Sequence, residues 1–171
     1  MKTNVVDLDA PPFCPSCFQV VEHRKGGLLD LATAKIDLYL AEAQKEGVGI
    51  RFGIDELRKK GLSIKDIADL YGVNVKRMCY IDGSDLRKEL EGKPVLNANV
   101  LDFYLANPHR IPEEWRGKDR SINFWGTVYR DKHYEYVRAL WWRGGEWHDG
   151  LSRLFDMFTV NSPAAILVSN A

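Results

Sequence analysis

The sequence predicts an α+β protein in two parts: a helical N-terminal half, and a C-terminal antiparallel β-meander of about three strands with one covering helix. Three observations predict it. Apolar residues recur at helical spacing from Leu28 towards Ile81; Gly92, Lys93 and Pro94 mark a boundary; and beyond Ser121 the chain turns to runs of aromatic and β-branched residues, which favour strands. The expected organisation is an extended arm with a C-x-x-C turn over 1–27, a helical domain over 28–92 and an aromatic-rich α+β domain over 93–171. A chain of 171 residues that is 45% hydrophobic and 28% charged has the composition of a folded protein.

In the arm, Pro11 and Pro12 exclude helix. Cys14, Pro15, Ser16 and Cys17 follow between Phe13 and Phe18, a C-P-x-C turn that looks like one half of a zinc knuckle. Zinc normally takes four protein ligands in a structural site. His23 would be a third, no second C-x-x-C exists, and Cys79 falls elsewhere. A zinc site on Cys14, Cys17 and His23 thus stands beside two other readings, a metal-free turn and a redox pair. No other cofactor is expected.

From Leu28 to Glu46, Leu29, Ala32, Ile36, Tyr39, Leu40 and Ala43 fall at helical spacing between polar residues, with Asp30 as a cap and Gly47 as a stop. Val48, Ile50 and Phe52 alternate as in a short strand or linker, and a helix over 54–60 comes next. In the stretch 57–81, Ile64, Ile67, Ala68 and Tyr71 share one helical face that Ser63 caps, and Gly72 can take the left-handed conformation of a sharp turn. Val73, Met78 and Ile81 then supply the buried side of a second helix, leaving Asn74, Lys76 and Tyr80 facing outward. Ser84 caps a short charged helix.

The stretch from Leu57 to Ile81 resembles the helix-turn-helix superfamily, in the form found in site-specific recombinases, transposases and small repressors. The resemblance implies that the second helix, 74–81, lies in the major groove of double-stranded DNA. Carried over by position, Asn74, Lys76 and Tyr80 would read bases, with Arg77 nearer the phosphates. Between Arg51 and Ile81 there are seven Lys or Arg against four acids, in a chain of zero net charge. Any DNA contact must therefore come from a local patch. The same geometry also serves as a structural module that packs on protein.

In the C-terminal half, Val100, Leu101, Tyr104 and Leu105 place a helix over about 97–106, stopped by Asn107 and Pro108. INFWGTVYR, YEYVRALWWR and a segment from Glu146 read as strands, with turns at 131–133 and 144–145 and AAILVS as a closing strand or short helix. All five Trp lie between 115 and 147. They can form the core of a small sheet, or stack on bases with Arg130, Arg138 and Arg143 interleaved. Because neighbours on a strand face opposite sides, one of Trp141 and Trp142 must lie outside the main core. Residues 95–166 are also similar to a segment of uncharacterised bacterial proteins, a likeness that implies a recurring module and no chemistry.

No catalytic signature is present. His23, His109, His133 and His148 are scattered, and Glu146, His148 and Asp149 read as a polar strand face. No apolar run reaches the ~20 residues that span a bilayer, and the N-terminus lacks the apolar core of a signal peptide. Three cysteines, an odd number, fit a reducing compartment. The expectation is a cytoplasmic, non-enzymatic, sequence-dependent DNA-binding regulator, dimeric because one such motif reads little sequence by itself. The alternative is a protein-interaction adaptor on a larger partner, with neither reading involving a membrane.

Overall fold

The structure is a computed structural model that describes residues 3–46, 59–72 and 79–168. It is organised around one six-stranded sheet. Strand β6 (Ile122–Arg130) lies at its centre, followed by β7 (Glu135–Arg143) and β8 (Glu146–Arg153) as consecutive antiparallel hairpins. Asp131 closes the first hairpin by accepting the amides of His133 and Tyr134. Gly144 and Gly145 close the second with positive φ at both positions, the geometry that matches the twist of a two-residue hairpin.

The other edge of β6 is shared. At its start Asn123 meets Ala164 of β10 (Ala164–Val168) in parallel, and β10 in turn pairs antiparallel along its whole length with β4 (Lys35–Tyr39). From Thr127 onward the partner is β2 (Gln19–His23). The change of partner falls at Gly126, where the ladder to β7 also shifts register. A β-carbon on Gly126 would sit 2.7 Å from both Cα and N of Asn97, so the glycine lets another segment of backbone pass in contact with β6 where its partner changes from β10 to β2.

That segment begins α4 (Ala98–Ala106), the last of four short helices among the described residues. The Asn97 side chain accepts from the Asn99 amide as an N-cap and donates to the carbonyls of Leu8 and Arg24. Val100, Leu101 and Tyr104 of α4 pack on Ile122, Phe124 and Leu140 with Trp115, forming the core on one face. On the other face Trp125, Val128 and Val137 meet Leu86 of α3 (Gly83–Glu89), Leu90 just after it, and Phe158 of β9 (Met157–Thr159). Strand β9 pairs with β5 (Tyr80–Asp82), and a second ribbon joins β1 (Val5–Asp7) to β3 (Leu28–Asp30).

The N-terminal half is therefore not helical. Four strands, β1 to β4, occupy positions 5–39, and only α1 (Glu42–Glu46) and α2 (Ile64–Tyr71) precede Tyr80 among the described residues. Two local facts defeat the expected helix over 28–46. Asp30 accepts the Ala32 amide with its carboxylate and the Thr33 and Ala34 amides with its carbonyl, closing a turn where a helix would start. Beyond it Ile36 and Leu38 alternate with exposed Asp37, a strand pattern once β10 supplies a partner. The sheet has six strands rather than about three, and stretches 1–27, 28–92 and 93–171 all contribute to it.

The helix-turn-helix resemblance is overturned as well. Helix α2 forms, with a reciprocal capping box between Ser63 and Asp66 at 3.1 Å each way and Gly72 left-handed at φ 65°. Ile67 and Ala68 are its buried side. No second helix reaches Ile81, however: Tyr80 stands opposite Thr159 and Ile81 opposite Phe158 in a two-stranded ribbon. Tyr and Ile are strong strand formers, and Ile81 gains burial against the sheet core in that arrangement.

Candidate functional site

The expected readers of DNA do not assemble into a described surface. Asn74, Lys76 and Arg77 lie outside the described residues, and Tyr80 is half-buried in β5. In the expected zinc site Cys14 and Cys17 are exposed in a turn, and the Cys14 thiol donates to the Phe18 carbonyl at 3.2 Å. His23 is engaged elsewhere. Its Nε2 faces the carbonyls of Leu8 and Ala10 at 3.1 and 3.2 Å, and since carbonyls only accept, that nitrogen carries the proton. Its Nδ1 meets the Thr127 hydroxyl at 2.8 Å, leaving neither lone pair for a metal. Among the described residues no group of three His, Cys, Asp or Glu is placed to hold one.

The geometry that does stand out lies at the far end of β7. Trp141 and Trp142 point to opposite faces, and both are half-buried. The Trp141 indole lies along β8, stacked on His148 with ring centres 6.3 Å apart and planes 20° from parallel. It continues over Gly150, where a β-carbon would come within 2.5 Å of its ring. Glycine at 150 is what allows a large ring to lie flat on the strand, with one face on the sheet. On the other side Trp142 meets Trp147 edge to face at 5.4 Å, and the Arg116 guanidinium sits 4.0 Å above its ring centre.

Between Trp141 and the loop leading into β6 lies a cleft of about 410 Å³, lined by Lys118 to Ser121 and Trp141 to Arg143. Its charge is positive. Among the described residues no carboxylate pairs with Lys118 or Arg143, and Arg120 is tied to the Glu114 carbonyl at 2.8 Å, an acceptor that leaves its charge uncompensated. Asp119 is the one acid in the lining. The arrangement offers a flat apolar ring, Trp141, beside unpaired cations, which suits a ligand with planar rings and negative charge.

Of the arginines expected to interleave with the aromatics, only Arg143 serves this cleft. Arg138 is 5% exposed and bridges Asp102 of α4 at 2.7 Å and Asp149 at 3.0 Å, while Arg130 pairs with Glu135 at 2.7 Å. Trp115 and Trp125 are core residues at 2% exposure each. Arg116, Lys118 and Arg120, which were not singled out from the sequence, alternate just before the first strand of the hairpins, and that alternation is their one legible signal. Glu146, His148 and Asp149 do not converge as a set of three: Glu146 comes within 3.6 Å of His148, which stacks on Trp141, while Asp149 is bonded to Arg138. Among the described residues no helix is long and apolar enough to cross a membrane. No known protein family, characterised protein or solved structure matches the chain with significant similarity.

Proposed function

We propose that this chain is a nucleic-acid-binding module that takes single-stranded nucleic acid in the cleft beside Trp141. The observation that carries the reading is the pairing of a half-exposed indole, lying flat over Gly150, with the unpaired cations Lys118 and Arg143. Stacking on aromatic rings is tolerant of sequence, because every base has a π-face, and cations along the cleft would follow the phosphates. The overall neutral charge confines the electrostatic contribution to this region.

Tryptophan fluorescence titrated with oligo(dT) and oligo(U) tests it. The expected result is saturable quenching that weakens with salt. Trp141→Ala should lose about 1–3 kcal/mol, roughly 5- to 150-fold in affinity, the range for one stacked base. Lys118→Ala and Arg143→Ala should each flatten the logarithmic salt dependence by about 0.7. Absence of quenching by both polymers at low salt refutes the reading, as does undiminished binding by Trp141→Ala.

A protein-interaction adaptor is the second reading, favoured by one observation. Phe155 is 78% exposed at the turn after β8, beside Tyr134 and not far from Met157 at 57%. It predicts that Phe155→Ser leaves nucleic-acid titrations unchanged.

A further inference from the structure

We infer that β8 is a self-association edge, pairing antiparallel with β8 of a second copy so that Leu151 lies on the twofold axis. Strand β8 is the last in the sheet order. The Leu154 amide donates to the Glu135 carbonyl, and with the register Tyr136 opposite Arg153 this fixes which backbone groups face β7: those of residues 146, 148, 150 and 152. The amides and carbonyls of Trp147, Asp149 and Leu151 point away from the sheet, and no donor or acceptor among the described residues meets them. An unpaired row of this kind is a template for another strand.

The side chains select the occupant and the register. Pairing must set outward-facing residues opposite one another, which leaves three central registers for two copies. One sets Asp149 against itself, two like charges at close range. A second sets Asp149 against Leu151, a carboxylate against an exposed apolar side chain. The third sets Leu151, 38% exposed, against its own copy and Asp149 opposite Arg153, joining apolar to apolar and acid to base on both sides of the axis. Gly150 and Ser152 then face each other and are too small to obstruct. Asp149 and Arg153 keep their internal partners Arg138 and Asp156, since a carboxylate accepts and a guanidinium donates more than one bond.

The axis stands normal to the sheet, so both copies present Trp141 on the same face. Insofar as the single-strand reading holds, one strand crossing that face would engage two clefts and bind more tightly than to either alone. The pairing itself does not depend on that reading.

The test is positional cross-linking in a chain carrying Cys14→Ser and Cys17→Ser. Opposed residues in a hydrogen-bonded antiparallel pair have Cα atoms about 5.5 Å apart, within disulfide reach. Leu151→Cys should therefore oxidise to a covalent dimer, whereas Arg153→Cys, opposite Asp149, should not, and the parent chain should not. Sedimentation equilibrium should give a dimer for the natural sequence and a monomer for Leu151→Lys, with circular dichroism unchanged because Leu151 is a surface residue. A monomer at every concentration for the natural sequence overturns the inference. Cross-linking by Arg153→Cys as efficient as by Leu151→Cys overturns the register. Nucleic-acid titration reads the cleft separately: loss of binding with the dimer retained removes the first reading and leaves this one.

Discussion

Replacing Gly126 by Ala should be among the more damaging small substitutions in the chain. The added methyl would lie 2.7 Å from Cα and N of Asn97 and 2.8 Å from its Cβ, and backbone cannot step aside as a flexible side chain can. The two segments are also tied together. Gly126 donates to the Leu96 carbonyl at 2.9 Å and accepts from the Arg24 amide at 2.7 Å, while the Ala98 amide donates to the Thr127 hydroxyl at 2.9 Å. Overpacking of this kind costs about 1–3 kcal/mol. Separating the segments weakens one or two hydrogen bonds at about 0.5–1.5 kcal/mol each. The better strand preference of Ala returns about 0.5–1 kcal/mol. With each term at the middle of its range the expected net loss is about 3 kcal/mol, or roughly 6–12 °C in Tm for a chain of this size. Urea unfolding followed by circular dichroism measures it. Gly150→Ala is the internal comparison, since its methyl meets only the outer edge of a half-exposed indole that can swing away. A loss below about 0.5 kcal/mol for Gly126→Ala, the ordinary range of a surface change, refutes the argument.

Two further outcomes rest on the charged groups. Burial alone would raise the Glu22 carboxyl, but hydrogen bonds and charge from Arg87 and Arg24 outweigh it and hold the group below its ordinary range. Stability from this cluster is therefore present above the ordinary glutamate pKa of about 4.3 and is lost as pH falls through the lower folded value. Thermal melts should show a shallower decline between neutral pH and strong acid for Glu22→Gln, and an identical decline would count against the cluster. Arg138→Met should cost about 1–3 kcal/mol rather than the larger penalty of a fully buried orphan, because Asp102 and Asp149 are 37% and 43% exposed and can rehydrate. Arg138→Lys should recover little, as a single ammonium lacks the fork that spans both acids; full recovery of Tm by Lys would show that charge alone matters there.

Legibility in the sequence depended on whether local pattern and tertiary partner agreed. Helix 98–106 begins at Asn97 and ends before Pro108 because its cap and stop are written in adjacent residues. Strand 122–130 and the Gly144–Gly145 turn are legible for the same reason. Lys35 to Tyr39 was not. Its apolar residues satisfy both a helical and an alternating period, and the decision rests with β10, more than a hundred residues away. Tyr80 and Ile81 misled in the same way, since a cap and a left-handed glycine predict α2 well but carry no information about the conformation of residues 80–82. Of the cleft, Trp141 and Trp142 were singled out because adjacent strand residues must diverge. Of the three arginines assigned with them, Arg143 does line the cleft, whereas Arg130 pairs with Glu135 and Arg138 is held by Asp102 of the covering helix, a partner its own neighbours in sequence do not indicate.

The position of β10 between β4 and β6 also governs when the sheet can be completed. Residues 164–168 are the wedge that joins strands written far apart in the chain, so while the polypeptide is still being synthesised Lys35–Tyr39 has no neighbour to bond with until nearly the whole described sequence has emerged. Closing so wide a loop before any contact rewards it predicts slow folding and a long exposure of Ile36 and Leu38 to other chains.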